Sequence, residues 1–183
     1  MSIYCKRARS SFNVAVWVFL GFTVFIGSCK NARNPKKKTE THENSALQGL
    51  EKKLGVSIPS GSNRAYYEEI ASWLGSPYKY GGKEKSGTDC SGFVLVVYQR
   101  VFKIMLDHQS SKQKEKSREL KESGLKEGDL YFFKFDGKKI SHVGMHVAPD
   151  YFIHASTKRG VIVSKLSEPY YKNAFAGFGT YRY

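Results

Sequence analysis

The stretch GTDCSGFVLVVYQRVF, residues 87–102, runs from a glycine-bearing polar turn straight into an apolar segment whose first residue is a cysteine. From Cys90 onward the segment is apolar on most sides, which suits a helix packed in a core rather than one lying on a surface. Its β-branched valines also permit a strand, but the twelve residues from Ser91 to Phe102 are long for one. Asp89, immediately before Cys90, is a residue type that caps helix N-termini. A thiol at such a position faces unpaired backbone N–H groups and the positive end of the helix dipole, which favour the thiolate. Burial as a small hydrophobe is the competing role for a free cysteine, so the rest of the chain has to decide.

The other two cysteines have separate fates. Lys6, Arg7 and Arg9 form a basic patch, Val14 to Gly27 carries no charge, and the run ends in Gly27-Ser28. That is the layout of a secretory signal. A membrane-spanning helix would need roughly 20 predominantly apolar residues, which this stretch reaches only by counting Ser10, Ser11 and Asn13. Ile26-Gly27-Ser28-Cys29 resembles the lipobox of bacterial lipoproteins. The resemblance implies cleavage before Cys29, lipidation of that residue, and loss of Cys5 with the signal. It implies attachment to a membrane through the lipid and a place in the bacterial cell envelope, on the periplasmic face of the outer membrane. Cys90 is then left with no cysteine to pair with.

Three segments are expected: a signal over 1–28, a lipidated N-terminus and flexible basic tether over 29–62, and a folded domain over 63–183. The tether is polar and basic with almost no aromatic residue, a composition that buries too little apolar surface to offset its ordering entropy. Within it, only the Leu47-Leu50-Leu54 spacing admits a short helical stretch. The net charge of +14 is spread over the chain. The sign suits an anionic partner such as the cell wall, and no nucleic-acid-binding motif is present. The mixed-sign run KQKEKSRELK, residues 112–121, reads as a solvated helix or loop.

Within the domain, Asn63 suits a helix cap, and Tyr66, Ile70 and Trp73/Leu74 recur at helical spacing up to Gly75. Tyr78 to Gly82 is an extended piece entering a glycine turn, and the second helix starts at Cys90. After it the period changes. Strands are expected over 129–136, 139–147, 151–156, 160–164 and 177–183, with Asp136-Gly137 as a hairpin turn. Helices followed by a run of antiparallel strands describe an α+β fold, the N-terminal helices packed on a central antiparallel sheet.

Three groups converge on one chemistry. In the strand through 140–147, His142 and His146 alternate away from Val143, Met145 and Val147. A hairpin centred on Ala148 would set His142 directly opposite His154, ~5 Å away at Cα. A thiol, an imidazole to draw off its proton and a second imidazole to orient the first form a Cys-His-polar triad. A zinc site from Cys90, His142 and His154 is the competing reading; His146 lies ~13 Å along the strand from His142, too far to join it. No metal and no cofactor is expected, and His42, His108 and His146 are taken as incidental.

PYKYGG, DCSGFV, GLKEGDLYFF, ISHVGMHV and FIHAS, in this order and spacing, resemble the NlpC-type cell-wall peptidase family over about residues 66–183. The resemblance implies a papain-like fold and a cysteine endopeptidase that cuts peptidoglycan stem peptides through a Cys90 thioester. The bond would be γ-D-glutamyl to diamino acid, or the D-Ala cross-link to diaminopimelate. It makes Cys90 the nucleophile, His142 the base, His154 the third polar residue, and Tyr78 a hydroxyl beside the oxyanion. Asp89 and Ser91 become candidate substrate contacts, with helix capping as the alternative for both. Lys79, Lys83 and Lys85 suit carboxylate-rich stems, and the segment between Phe102 and Gly124, the least family-like, borders the groove. A monomer is expected. An amidase or acyltransferase with the same Cys-His chemistry, or a non-catalytic wall-binding lipoprotein, are the alternatives.

Overall fold

The computed structural model describes residues 35–182, with side chains from Ser45 onward. The signal, the lipobox and Cys29 lie outside the described residues, as does the side chain of His42.

Two helices, α1 (Pro35–Leu54) and α2 (Arg64–Trp73), open the fold. Asn63 caps α2 as its sequence predicts, its side chain accepting from the Tyr66 N–H at 3.2 Å. The expectation of a flexible tether to residue 62 does not hold over its second half. Leu54, Val56 and Ile58 are buried in the same cluster as α2, and Leu47 and Leu50 pack against it. Burying an aliphatic side chain stabilises by about 1.5–3 kcal/mol, enough over three residues to fasten a short segment. An average over the polar 30–62 stretch conceals this apolar edge.

A two-stranded hairpin, β1 (Lys83–Glu84) and β2 (Gly87–Thr88), leads into α3 (Cys90–Val97), which continues as a wider π-helical turn over Tyr98–Phe102. Every residue of α3 is buried, in line with its all-round apolar sequence. The run expected as a solvated helix or loop over 112–121 instead divides. It supplies most of α4 (Ser110–Lys116) and then an edge strand, β3 (Arg118–Leu120). The remaining strands are β4 (Leu130–Phe133), β5 (His142–Ala148), β6 (Tyr151–Ser156), β7 (Gly160–Lys165) and β8 (Phe175–Thr180), with α5 (Pro169–Ala174) before the last. They form one antiparallel sheet in the order β3-β8-β4-β5-β6-β7.

Strand alternation gives this sheet two unlike faces. Leu130, Phe132, Val143, Met145, Ile153 and Ala155 pack with the helices in one cluster. Tyr131, Phe133, Phe152 and Phe178 turn the other way and are covered by Tyr171 and Ala174 of α5. Both faces of the sheet are therefore dry at its centre. The α+β expectation is correct, and the second buried face explains why the histidines of β5 and β6 sit in a low-dielectric setting.

Candidate active site

Cys90 is the first residue of α3, and the chain before it is shaped to hold it there. Pro77 and Lys79 exchange backbone hydrogen bonds with Thr88, which sets Tyr78 alongside the turn into the helix. Asp89 Oδ1 accepts from the Gly92 N–H at 2.7 Å and from the Ser91 hydroxyl at 2.9 Å, while Oδ2 accepts from the Gly81 N–H at 2.8 Å. One carboxylate thus ties the glycine turn to the helix start. Gly92 is required at its position, because a Cβ there would collide with the Gly82 carbonyl. Asp89 and Ser91 border the cleft that exposes the thiol, yet each is only 6% exposed and their mutual bond serves the cap.

The thiol's electrostatics differ from the sequence expectation. Burial pushes Cys90 up to about 11. The N–H groups of Val143, Ser91 and Cys90 itself pull the other way, and the Asp89 charge adds to the rise. Desolvation thus outweighs the helix terminus, and the resting sulfur is a thiol. Its contact with the Val143 N–H brings it to the start of β5, next to His142.

The two imidazoles meet, although not in the expected register. The β5–β6 turn lies at Pro149-Asp150, with Asp150 at φ 67°, and a bulge falls between His146 and Ala148. Met145 pairs with Ile153 and His146 with Phe152. That register is two residues away from direct opposition of His142 and His154, so the pair is diagonal. A shift of two keeps both residues on one face, and diagonal neighbours remain within reach of long or aromatic side chains. His142 Nε2 lies 2.8 Å from His154 Nδ1. Gly144 makes room: a Cβ there would lie 2.9 Å from the Ile153 carbonyl and 3.2 Å from the His154 Cβ. Burial lowers His142 to about 4 and holds His154 well below the usual imidazole range, with His142 and Arg159 adding to the latter effect.

Around this core runs a cleft with two arms. One, of about 290 Å³, holds Cys90, Asp89, Ser91, His108 and Lys139. The other, of about 300 Å³, holds His142, His154, Phe135 and Tyr170. Tyr78 and Ser141 line both. Burial, then the nearby Cys90 and Asp89, raises the Tyr78 phenol, which keeps its hydroxyl a donor.

Several residues of the site escaped the sequence reading. His108, taken as incidental, lies in the cleft with Nε2 3.2 Å from both Asp89 oxygens. Ser164 and Tyr171 stand behind His154. Gly144 carried a legible signal, since glycine inside a strand often marks close approach of another backbone. Tyr171 carried none. His146 is bonded through Nδ1 to the Tyr131 hydroxyl at 2.8 Å and borders a separate hollow of about 630 Å³ with Asn63, Glu127 and Arg182. Lys79, Lys83 and Lys85 do not line either arm; Lys85 lies over the Trp73 ring at 5.8 Å. Among the described residues, no group of three His, Cys, Asp or Glu is arranged to hold a metal ion.

Comparison with known proteins adds the following. Residues 75–180 match the model of the NlpC/P60 family. The murein DD-endopeptidase MepS/murein LD-carboxypeptidase of Escherichia coli (strain K12) is 32% identical over 163 residues, covering 88% of this chain and 86% of that one. The probable endopeptidase NlpC of the same organism is 38% identical over 121 residues, 66% of this chain and 76% of its own. Among solved structures, an NlpC/P60 family protein from Bacillus cereus superimposes with a TM-score of 0.61 at 30% identity, covering 68% of this chain and 42% of that one.

Proposed function

The chain belongs to the NlpC/P60 family, and from that membership we propose that it is a cysteine endopeptidase of the cell envelope that cuts the D-alanyl cross-link between peptidoglycan stem peptides. The observation that carries the reading is a free thiol at the start of a buried helix, held against the strand that bears His142, whose imidazole is linked to that of His154 on the next strand. The relative named as a murein DD-endopeptidase, aligned over most of both chains, supports the choice of bond.

The geometry supports one sequence of steps. His154 engages Nε2 of His142, so Nδ1 is the nitrogen free to take the Cys90 proton. Sulfur adds to the scissile carbonyl, and the oxyanion is stabilised by the Cys90 N–H and the hydroxyl of Tyr78, which lines both arms of the cleft. His142 returns the proton to the leaving amine, the C–N bond breaks, and a thioester remains. Water, deprotonated by His142, adds to the thioester and expels the thiol. One chain carries the whole set, so the reading needs no second copy.

The test is digestion of cross-linked muropeptides containing meso-diaminopimelate, with products read by mass spectrometry beside a Cys90→Ala sample. Uncross-linked stems that form only with the wild type are expected. Cleavage between D-glutamate and the diamino acid would replace the proposed bond, and products equal in both samples would remove Cys90 from the reaction.

The anchor belongs to the same proposal. Cys29 carries the lipid and holds the enzyme on the periplasmic face of the outer membrane, as the lipobox-like Ile26–Cys29 supports. Radiolabelled palmitate should mark the full chain and not a Cys29→Ala variant; equal labelling would sink this.

A further inference from the structure

We propose that Ser164 and Tyr171 are positioning residues for the base: their oxygens hold the His154 proton on Nε2, and so leave Nδ1 of His142 bare for the thiol. The inference rests on the assignment of Cys90 and His142 as nucleophile and base, and it follows from counting protons along a buried chain of side chains.

A neutral imidazole has one N–H, and the partner of one ring nitrogen decides which nitrogen carries it. Burial keeps both His142 and His154 neutral. Across the 2.8 Å contact between His142 Nε2 and His154 Nδ1, one nitrogen donates and the other accepts. If His142 donates, its Nδ1 is a lone pair, ready to take a proton. If His154 donates, the His142 proton sits on Nδ1, the nitrogen assigned to the thiol, and the base is blocked. The productive arrangement requires His154 to carry its hydrogen on Nε2.

Two oxygens wait there. The Tyr171 hydroxyl is 3.1 Å from His154 Nε2 and the Ser164 hydroxyl 3.2 Å. The Ser164 and Tyr171 hydroxyls also lie 3.3 Å from each other, and each oxygen keeps a lone pair with which to accept the Nε2–H. Both residues are 4% exposed, and they come from different elements, β7 and α5. The ring they hold is fixed by packing as well, between Phe152 at 4.9 Å and the edge of Tyr171 at 5.2 Å. When His142 becomes imidazolium, its Nε2–H still has the His154 lone pair to donate to. The proton is therefore confined between His142, sulfur and substrate.

The experiment is ¹⁵N NMR of histidine-labelled full chain in detergent, paired with kinetics on cross-linked muropeptides. The variants are Tyr171→Phe, Ser164→Ala and the double substitution, each removing only oxygen atoms. In the wild type His154 should show the Nε2–H form, and the double variant a mixture of both tautomers. With kcat the expected losses are up to fivefold for each single variant, where one oxygen remains, and on the order of 10–100-fold for the double, with KM unchanged. Wild-type His154 protonated on Nδ1, or a double variant that keeps both the Nε2–H form and kcat, would overturn the proposal. Should the double variant unfold, the tautomer populations of the two single variants decide, because a purely structural role would not move them. Failure of the underlying reading shows differently: a Cys90→Ala enzyme would still cleave, whatever the tautomer spectrum.

Discussion

Replacing His142 by alanine is expected to lower kcat/KM at pH 7 by about 10²–10⁴-fold, the contribution typical of a positioned general base. The electrostatics of Cys90 also predict how the remaining activity should vary with pH. With the thiol pushed up to about 11 by burial, only about one molecule in ten thousand carries a thiolate at neutral pH. The wild type avoids that limit because His142, held near 4, is bare over the whole neutral range and takes the proton as sulfur attacks. Its acid limb should lie near the His142 value, since below it the imidazole is already charged. The alanine variant has no base and must use the pre-existing thiolate. Its rate should climb about tenfold per pH unit until the thiol titrates, while the wild type stays level across the same range. A pH series of initial rates for both proteins makes the comparison. A residual activity that does not rise with pH would mean that proton removal from Cys90 is not what His142 supplies.

This behaviour also marks where sequence reading reached its limit. The position of Cys90 at a helix start was legible from Asp89 and the apolar run after it, and the helix is found there. The inference to a resident thiolate failed, because dipole and N–H effects are local and readable, whereas burial depends on everything packed around the sulfur. The β5–β6 pair shows the same division. Alternation put His142 and His154 on one face, and that survives a two-residue change of register. The register itself depended on whether Pro149-Asp150 or Ala148 formed the turn, and on a bulge that strand alternation does not reveal. The packing of Leu47 to Ile58 into the core goes beyond the short helical stretch that the Leu47-Leu50-Leu54 spacing admits, because these apolar residues are sparse and become meaningful only once a core exists to receive them. Ser164 and Tyr171 belong with it: each is an ordinary residue in its own element, and only the folding of α5 over the second sheet face brings them to His154.

Acidification should begin to destabilise the domain above the pH range in which carboxylates titrate. Three histidines, His142, His146 and His154, are buried, and in all three desolvation lowers the affinity for a proton below the ordinary value of 6.5. His142 and His146 are each brought to about 4. Asp89 opposes the shift at His142, Asp129 opposes it at His146 while Arg182 adds to it, and burial prevails in both. Between pH 6.5 and 4 the unfolded chain binds protons that the folded chain refuses, so stability is complete above 6.5 and falls as pH drops through that window. Each group contributes a slope of up to about 1.4 kcal/mol per pH unit, hence about 4 for the three together. Set against a total stability of about 5–15 kcal/mol for a domain, this is enough to bring the unfolding midpoint near pH 5 or a little below. The lowered carboxyls of Asp107, Glu119 and Asp136 act separately, since their contributions are present above their unfolded values of 3.8, 4.5 and 3.8 and are lost only below them. Urea midpoints at a series of pH values from 7.5 to 4, about the range in which histidines titrate, would trace the decline. The informative variant is His146→Gln, whose amide can keep a hydrogen bond to Tyr131 without titrating and which lies outside the two catalytic arms. It should lose about a third of the slope while cleaving at the wild-type rate at pH 7. A slope unchanged by that substitution would show that His146 takes up its proton equally in the folded and unfolded chains.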